Sequence, residues 1–195
     1  NITFYLTALN IYQGLDISQS NEGIFTAIDS TVSLSGNGGI EVTLSTINTG
    51  FDYYINDKNS LSLNVSYKPI NQDVDLLGET FLYKGENPLN TISTLTHNGY
   101  GSDESSASLF YKKTFKNPVQ ELTVENTWYN FNSIEDNSFE NIRYPYNSGT
   151  VLDTYSRQEE NLNRRNYYSA RLNYVHPLGM FAKLEAGYQF YYQRM

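Results

Sequence analysis

The last part of the chain alternates between apolar and polar residues with a period of two. After a short turn at 176–179, the even positions from Met180 to Tyr192 are apolar or aromatic, whereas Lys183 and Glu185 on odd positions are polar. This period places alternate side chains on opposite faces of a β-strand. It predicts a hairpin of two strands, at about 165–175 and 180–193.

The same alternation recurs upstream. Its clearest example is Leu61-Ser62-Leu63-Asn64-Val65, in which the three apolar side chains share one face. The phase of the alternation changes near Leu9, where we expect a β-bulge, and again near Ser45-Thr46. Residues 24–34 are a weaker candidate for one additional strand. The other predicted strands are at about 2–12, 40–55, 60–68, 105–115 and 120–131.

Short and long connections alternate between these strands. The predicted turns are at 56–59, 116–119 and 176–179. The predicted long outer loops, rich in Gly, Ser, Asn and acidic residues, are at about 13–39, 69–104 and 132–163. Loops of this length are uncommon in compact domains. Their alternation with tight turns is typical of an outer-membrane β-barrel, in which the turns are periplasmic and the loops extracellular.

We therefore predict an all-β fold, an antiparallel up-and-down transmembrane β-barrel segment of about seven strands, or eight if residues 24–34 form a strand. Because the chain begins and ends within strand-like sequence, we expect an open fragment of a larger barrel. Aromatic residues near both ends of the strands predict two aromatic girdles, at the two membrane interfaces. They are Phe51, Tyr53, Phe115 and Tyr174 near the turns, and Tyr67, Trp128, Tyr168, Phe190 and Tyr192 near the loops.

Composition and charge narrow the function classes. The sequence has no run of about 18 apolar residues, so no transmembrane helix is predicted. The mean hydropathy of -0.52 is compatible with a barrel, whose lumen and loops are polar. The net charge of -8 argues against nucleic-acid binding, which needs a basic surface. The absence of cysteine excludes disulfides and cysteine-based metal or catalytic sites.

Three segments carry a family resemblance: GFDYYINDKNSLSLNVSY at 50–67, YKKTFKNPVQELTVENTWY at 111–129 and YSARLNYVHPLGMFAKLEAGYQ at 168–189. They resemble the barrel of Bacteroidetes TonB-dependent receptor-like proteins, the outer membrane protein β-barrel family. The resemblance covers about residues 40–195, and its last segment is the most specific. It implies an outer-membrane protein with a plug domain, a barrel of about twenty-two strands and ligand import driven through TonB.

Two groups of residues are candidates for a site. Tyrosines in outer loops suit ligand recognition, because the ring is apolar and the hydroxyl is polar. The predicted ligand-contact residues are Tyr83, Tyr100, Tyr144, Tyr146 and Tyr155. Charged residues on the predicted inner face would line the lumen. The predicted lumen-facing residues are Lys112, Glu125, Arg171, Lys183 and Glu185.

The sequence lacks recognisable catalytic and metal-binding patterns. It contains no Gly-rich phosphate loop, no G-x-S-x-G and no H-E-x-x-H. Its two histidines, His97 and His176, are far apart in the chain, and His176-Pro177 is interpreted as part of a turn. The acidic residues of the loops lack the spacing of a calcium-binding loop. We predict no catalytic residue, no metal site, no cofactor and no enzymatic activity.

The predicted function is to form the wall and outer loops of a TonB-dependent receptor-like transporter for ligand capture and uptake in the bacterial outer membrane. The expected partners are outer-membrane lipid, the remainder of the barrel, a plug domain, an unknown extracellular ligand and, by resemblance, the TonB system. One alternative is a small closed barrel with a structural or adhesive role, in which residues 2–12 pair with 180–192. Another is a soluble Tyr-rich carbohydrate-binding β-sandwich, which would bury the face of Leu61, Leu63 and Val65.

Overall fold

The structure, a computed structural model, describes residues 1–25, 30–179 and 181–195 and contains one antiparallel sheet. Its seven strands lie in chain order, so each strand pairs with its neighbours in the sequence. They are β1 (Ile2–Phe25), β2 (Ser30–Asn56), β3 (Asn59–Lys84), β4 (Asn87–Thr114), β5 (Glu121–Pro145), β6 (Asp153–Pro177) and β7 (Lys183–Arg194). No helix in the described residues is long and apolar enough to cross a membrane. The predicted all-β, up-and-down class is confirmed.

The strands are much longer than predicted. Strands β1–β6 contain 24 to 28 residues each. They include most of the segments predicted as long loops, at 13–39, 69–104 and 132–163, and that prediction is wrong. The connections that the structure describes at this end of the sheet are short, at 85–86 and 146–152. Residues 26–29 lie outside the described part of the chain.

The segments predicted as loops form strands because their backbones pair with neighbouring strands. An amphipathic alternation of side chains is not what stabilises them. Both faces of these segments carry Asn, Ser, Thr and Gly, so the sequence lacks a clean period of two. Strands β2–β5 each pair with two neighbours over most of their length, which satisfies their backbone groups. Of the predicted additional strand at 24–34, the described residues belong to other strands, since 24–25 end β1 and 30–34 begin β2. The predicted strand 180–193 corresponds to β7, and Met180 lies outside the described residues.

The register assigns the side chains to two faces of the sheet. Residues directly opposite each other on antiparallel strands project to the same side. Phe4 pairs with Phe51, Phe51 with Leu63, and Leu63 with Leu109. This side, here called the belt face, carries a continuous apolar belt across the sheet; the other side is called the opposite face. The belt includes Ile2, Phe4, Leu6, Phe51, Tyr53, Leu61, Leu63, Val65, Leu109, Tyr111, Val124, Trp128, Leu172, Tyr188 and Phe190.

The belt is exposed. Phe4 is 71% exposed and Tyr188 68%, and no hydrophobic side chain of the described residues is buried. The nine girdle aromatics predicted from the sequence all fall on the belt face. A β-sandwich would cover this face with a second sheet, so that alternative is wrong. Exposed apolar residues on one face of a strand of about ten residues suit contact with lipid.

The sheet is open. Strand β1 pairs with β2, strand β7 pairs with β6, and the register of the described residues contains no pairing between β1 and β7. The small closed barrel required that pairing, and the structure contradicts it.

Beyond the belt, β1–β6 continue as a region that we call the extension. It comprises residues 9–25, 30–46, 68–84, 87–104, 131–145 and 153–165, as far as they are described. About 15 residues at roughly 3.3 Å each give the extension a length of about 50 Å. Strands of this length therefore project well past the belt on the side away from the turn at 57–58.

The changes of phase in the sequence mark the boundary between belt and extension. The pairing of β1 with β2 is unbroken from Ile2 to Phe25, so the bulge predicted near Leu9 is wrong. The apolar residues instead change face at this height. In β2 and β3 the pairs Leu44–Ile70 and Ile47–Tyr67 keep one register on either side of Pro69, which has no N–H to donate.

Candidate functional site

At the height of the belt, the opposite face is polar and charged. Lys112 and Glu121 form an ion pair across β4 and β5, with Nζ 2.7 Å from Oε1. Arg171 Nη1 lies 3.8 Å from Glu125 Oε2 across β6 and β5. Lys183 and Glu185 form a third pair within β7, at 2.5 Å. A face with this chemistry, backed by an apolar belt, has the polarity of the inside of a transmembrane barrel.

The structure brings the predicted lumen-facing residues to one side of the sheet. The register places all of them on the opposite face: Lys112, Glu125, Arg171, Lys183 and Glu185. Arg171 and Glu125 are direct cross-strand partners, whereas Lys112 pairs with Thr123. That these residues line a lumen stays a prediction.

The opposite face of the extension carries three adjoining depressions. The first, of about 380 Å³, is lined by Ile17, Leu34, Gly36, Leu76 and Gly78, among others. The second, of about 300 Å³, includes Asn98, Asn137, Phe139, Tyr155 and Arg157. The third, of about 680 Å³, includes Gln72, Tyr100, Glu135, Asn137 and Glu159. Thr96 lines the first and second, while Asn98, Asn137 and Glu159 line the second and third. The three depressions therefore form one continuous surface, which we call the extension surface.

The extension surface is rich in amide and aromatic groups, and its main cation is paired. Arg157 contacts Glu159 two residues further along β6. The Asn137 amide donates a hydrogen bond to Glu135 Oε1 at 3.1 Å, which leaves the Asn137 carbonyl oxygen as an acceptor. The rings of Phe139 and Tyr155 meet edge to face, with centroids 6.3 Å apart. Such a surface offers a ligand neutral hydrogen-bonding groups and aromatic faces.

The predicted ligand-contact tyrosines divide between the two faces. They were placed in loops, but Tyr83, Tyr100, Tyr144 and Tyr155 lie in strands, and that part of the prediction is wrong. The structure brings Tyr100 and Tyr155 to the extension surface. Tyr83 and Tyr144 are on the belt face. Tyr146 is in the turn after β5, where its N–H donates to the Leu89 carbonyl at 3.0 Å. Ligand contact by these residues stays a prediction.

Sequence reasoning missed the residues that join the two tyrosines into one surface. Asn98 lies in the predicted loop at 69–104, and Asn137 and Phe139 lie in the one at 132–163, so no face was assigned to them. Once the register is known, the alternate positions Asn137, Phe139 and Asn141 share the opposite face. The register was needed for this assignment, because polar residues on both faces leave no clean period of two in these segments.

His97 lies on the belt face of the extension, outside the belt. Its Nδ1 is 2.7 Å from Asp75 Oδ1. The hydrogen bond to Asp75 raises the pKa of His97 above its usual 6.5, and the charges of Asp75, Asp73 and Asp136 raise it further. In the described part of the chain, no cluster of three or more His, Asp or Glu side chains could hold a metal ion.

Residues 113–195 match the model of the outer membrane protein beta-barrel family. No curated protein matches the chain. Among solved structures, the outer membrane transporter YddB from Escherichia coli is similar at 7% identity and a TM-score of 0.21, over 93% of this chain and 34% of its own. The ferric-catecholate import receptor Fiu from K12 E. coli gives 10% identity and a TM-score of 0.20, over 87% of this chain and 44% of its own.

The chain thus spans less than half the length of either protein. The family match, the open up-and-down sheet and the exposed apolar belt agree with one another. They identify an outer-membrane β-barrel protein, located in the bacterial outer membrane.

Proposed function

We propose that the chain forms part of the wall of a TonB-dependent, receptor-like transporter of the Bacteroidetes type, and that it captures an extracellular ligand on its opposite face. The observation that carries the proposal is the extension surface, which is continuous over three depressions and lies beyond the apolar belt. A surface placed there is the first part of the wall that a ligand meets when it enters from outside.

The charged residues at belt height support the same proposal. The ion pairs of Lys112 with Glu121 and of Arg171 with Glu125 give the opposite face fixed charges at the level of the lipid. A plug domain with a complementary polar surface could pack against them. Solvent or a plug domain would therefore both be compatible with this face, whereas lipid would not.

The proposal assigns the chain no enzymatic activity. Its histidines are in separate regions, His97 in the extension and His176 near the end of β6. The role proposed for the chain is binding and passage of a ligand, for which no covalent chemistry is needed.

The TonB dependence can be tested with outer membranes that contain the full-length protein. The purified periplasmic domain of TonB is added, and its co-sedimentation with the membranes is measured. We expect saturable binding that is lost in membranes from cells lacking the protein. No binding would reject the TonB-dependent mechanism, while the outer-membrane barrel would be unaffected.

A further inference from the structure

Apolar residues change face where the strands leave the belt. In β1, the apolar residues Leu9, Ile11, Leu15 and Ile17 are on the opposite face. Nearer the start of the strand, Ile2, Phe4, Leu6 and Ala8 are on the belt face. The pairing continues this apolar surface into the next two strands, through Leu44, Val42, Ile40, Ile70, Val74 and Leu76. The opposite face of the extension is therefore apolar on β1–β3.

A pair of glycines creates a groove within this apolar area. Gly36 of β2 and Gly78 of β3 are direct cross-strand partners on the opposite face. Because neither has a side chain, the backbone forms the floor of the depression of about 380 Å³, between Ile17, Leu34 and Leu76. Small-molecule sites begin at roughly 300 Å³, so this groove suits a small apolar group rather than a folded domain.

The groove adjoins a more polar depression on β4–β6. Thr96 of β4 lines both the groove and the next depression, where Asn98, Asn137 and Tyr155 are found. The charge of Arg157 there is matched by Glu159. The extension surface is thus apolar on β1–β3 and amide-rich and aromatic on β4–β6, where the carboxylate of Glu135 adds one charge without a paired cation among the described residues.

We propose that the extension surface binds an amphipathic glycoside. The apolar group of the glycoside occupies the groove over Gly36 and Gly78, and its sugar lies against Tyr155, Asn98 and Asn137. A sugar fits the second half because its C–H face stacks on aromatic rings and its hydroxyls bond to neutral amides. This inference rests on the proposed function, since it names the ligand class of the same surface.

The test uses the full-length protein in lipid nanodiscs and measures equilibrium binding by titration calorimetry. The ligands are the p-nitrophenyl glycosides of glucose, galactose and mannose, with each free sugar and free p-nitrophenol as references. We expect at least one glycoside to bind ten or more times tighter than either of its halves, an approximate factor set by burying one apolar group. If no glycoside does so, the proposal is overturned. This holds also where the cause is another part of the protein that occupies the groove.

The second part of the test fills the groove with side chains introduced at the two glycines. A Cβ at Gly36 would be 3.4 Å from the Leu77 oxygen, and one at Gly78 would be 3.8 Å from Thr94 Cβ, so both positions have room for a side chain. The G36V/G78V variant should lose at least about tenfold in glycoside affinity and bind the free sugar unchanged. The matched control is Gly39→Val on the belt face, where a Cβ would lie 4.0 Å from the backbone oxygen of Leu15. Should the double variant fail to fold, Gly78→Ala makes the same comparison with a single methyl group.

Equal losses in G36V/G78V and the control, or no loss in either, would overturn the proposal. The nanodisc contains no TonB, so a failure of glycoside binding is distinguishable from a failure of TonB binding to outer membranes. A Tyr155→Ala variant should weaken binding of the glycoside and the free sugar together, because it removes the aromatic face from the polar half.

Discussion

The side chain of Tyr5 in β1 crosses over Gly50 in β2 to reach β3. Its hydroxyl donates to the Leu63 carbonyl oxygen at 3.2 Å and also contacts Asn64 Oδ1. A Cβ at Gly50 would clash with both the Leu63 oxygen and the Tyr5 hydroxyl. The glycine therefore allows one tyrosine to connect three neighbouring strands on the opposite face at belt height.

This contact predicts that Gly50→Ala destabilises the protein. The new methyl group must displace the tyrosine and crowd the backbone of β3, which we expect to cost about 1–3 kcal/mol. Urea unfolding from lipid bilayers measures the loss. Gly39→Ala is the control, because a Cβ there would lie 4.0 Å from the Leu15 oxygen and should leave stability nearly unchanged. Equal stability of the two variants would contradict the role given to Gly50.

The apolar belt predicts a strong difference between neighbouring residues of β4. Leu109 is on the belt face and 39% exposed, whereas Ser108 is on the opposite face. Leu109→Arg places a charge in lipid and should lower the free energy of unfolding by about 2–4 kcal/mol if the residue is near the bilayer midplane. Ser108→Arg should cost much less, since its side chain faces away from lipid. The same bilayer unfolding experiment compares them, and similar losses would mean that the faces are assigned wrongly.

The sequence was informative where one face of a strand meets lipid. The alternation of Leu61, Leu63 and Val65 reflects that contact, and it falls in the belt part of β3. In the extension no lipid selects for alternation, and residues such as Asn98 and Asn137 have neighbours of similar polarity on both faces. Their strand conformation comes from pairing with distant segments, as for Asn98 with Asn137. Pairing of this kind leaves no local period, so the extension was predicted as loops.

The same limit applied to the candidate surface. Tyr100 and Tyr155 were identified by residue type. They are 55 residues apart in the sequence and lie on β4 and β6, with β5 between them. Only the register shows that both are on the opposite face, while Tyr83 and Tyr144 are not. The apolar change of phase near Leu9 was visible in the sequence. The belt ends at this point, and β1 and β2 pair through it without a bulge.

His97 provides a prediction about pH. Its pKa is raised by Asp75, and both side chains are substantially exposed, at 44% and 70%. A raised folded-state pKa means that the pair stabilises the protein fully below the unfolded pKa of about 6.5 and loses this effect as pH rises through the folded pKa. Screening by solvent keeps the contribution to stability small, so the pKa itself is the better measurement.

An NMR titration of the full-length protein, with the resonance assigned by His97→Gln, should give a pKa above 6.5 for His97. Asp75→Asn should lower it, because the substitution removes the hydrogen-bonding carboxylate. Asp16→Asn, on a strand that does not adjoin β4, should leave it near the wild-type value. Added salt should reduce the shift. An unshifted pKa in the wild-type protein would mean that the contact with Asp75 does not persist in solution.

The position of the belt near one end of the strands predicts the orientation of the chain in the membrane. The belt lies close to the turn at 57–58, and the extension ends at the turn at 85–86.

Because the wild-type chain has no cysteine, single cysteines can be introduced at Asp57 and Glu86 and labelled with a membrane-impermeant maleimide. We expect Glu86→Cys to react on intact cells, since the extension is predicted to be extracellular. Asp57→Cys should react only after the outer membrane is permeabilised, because the turn is predicted to be periplasmic. Trp128→Cys, on the belt face, should remain poorly labelled in both conditions. Labelling of Asp57→Cys on intact cells, with protection of Glu86→Cys, would reverse the orientation and would place the extension surface in the periplasm.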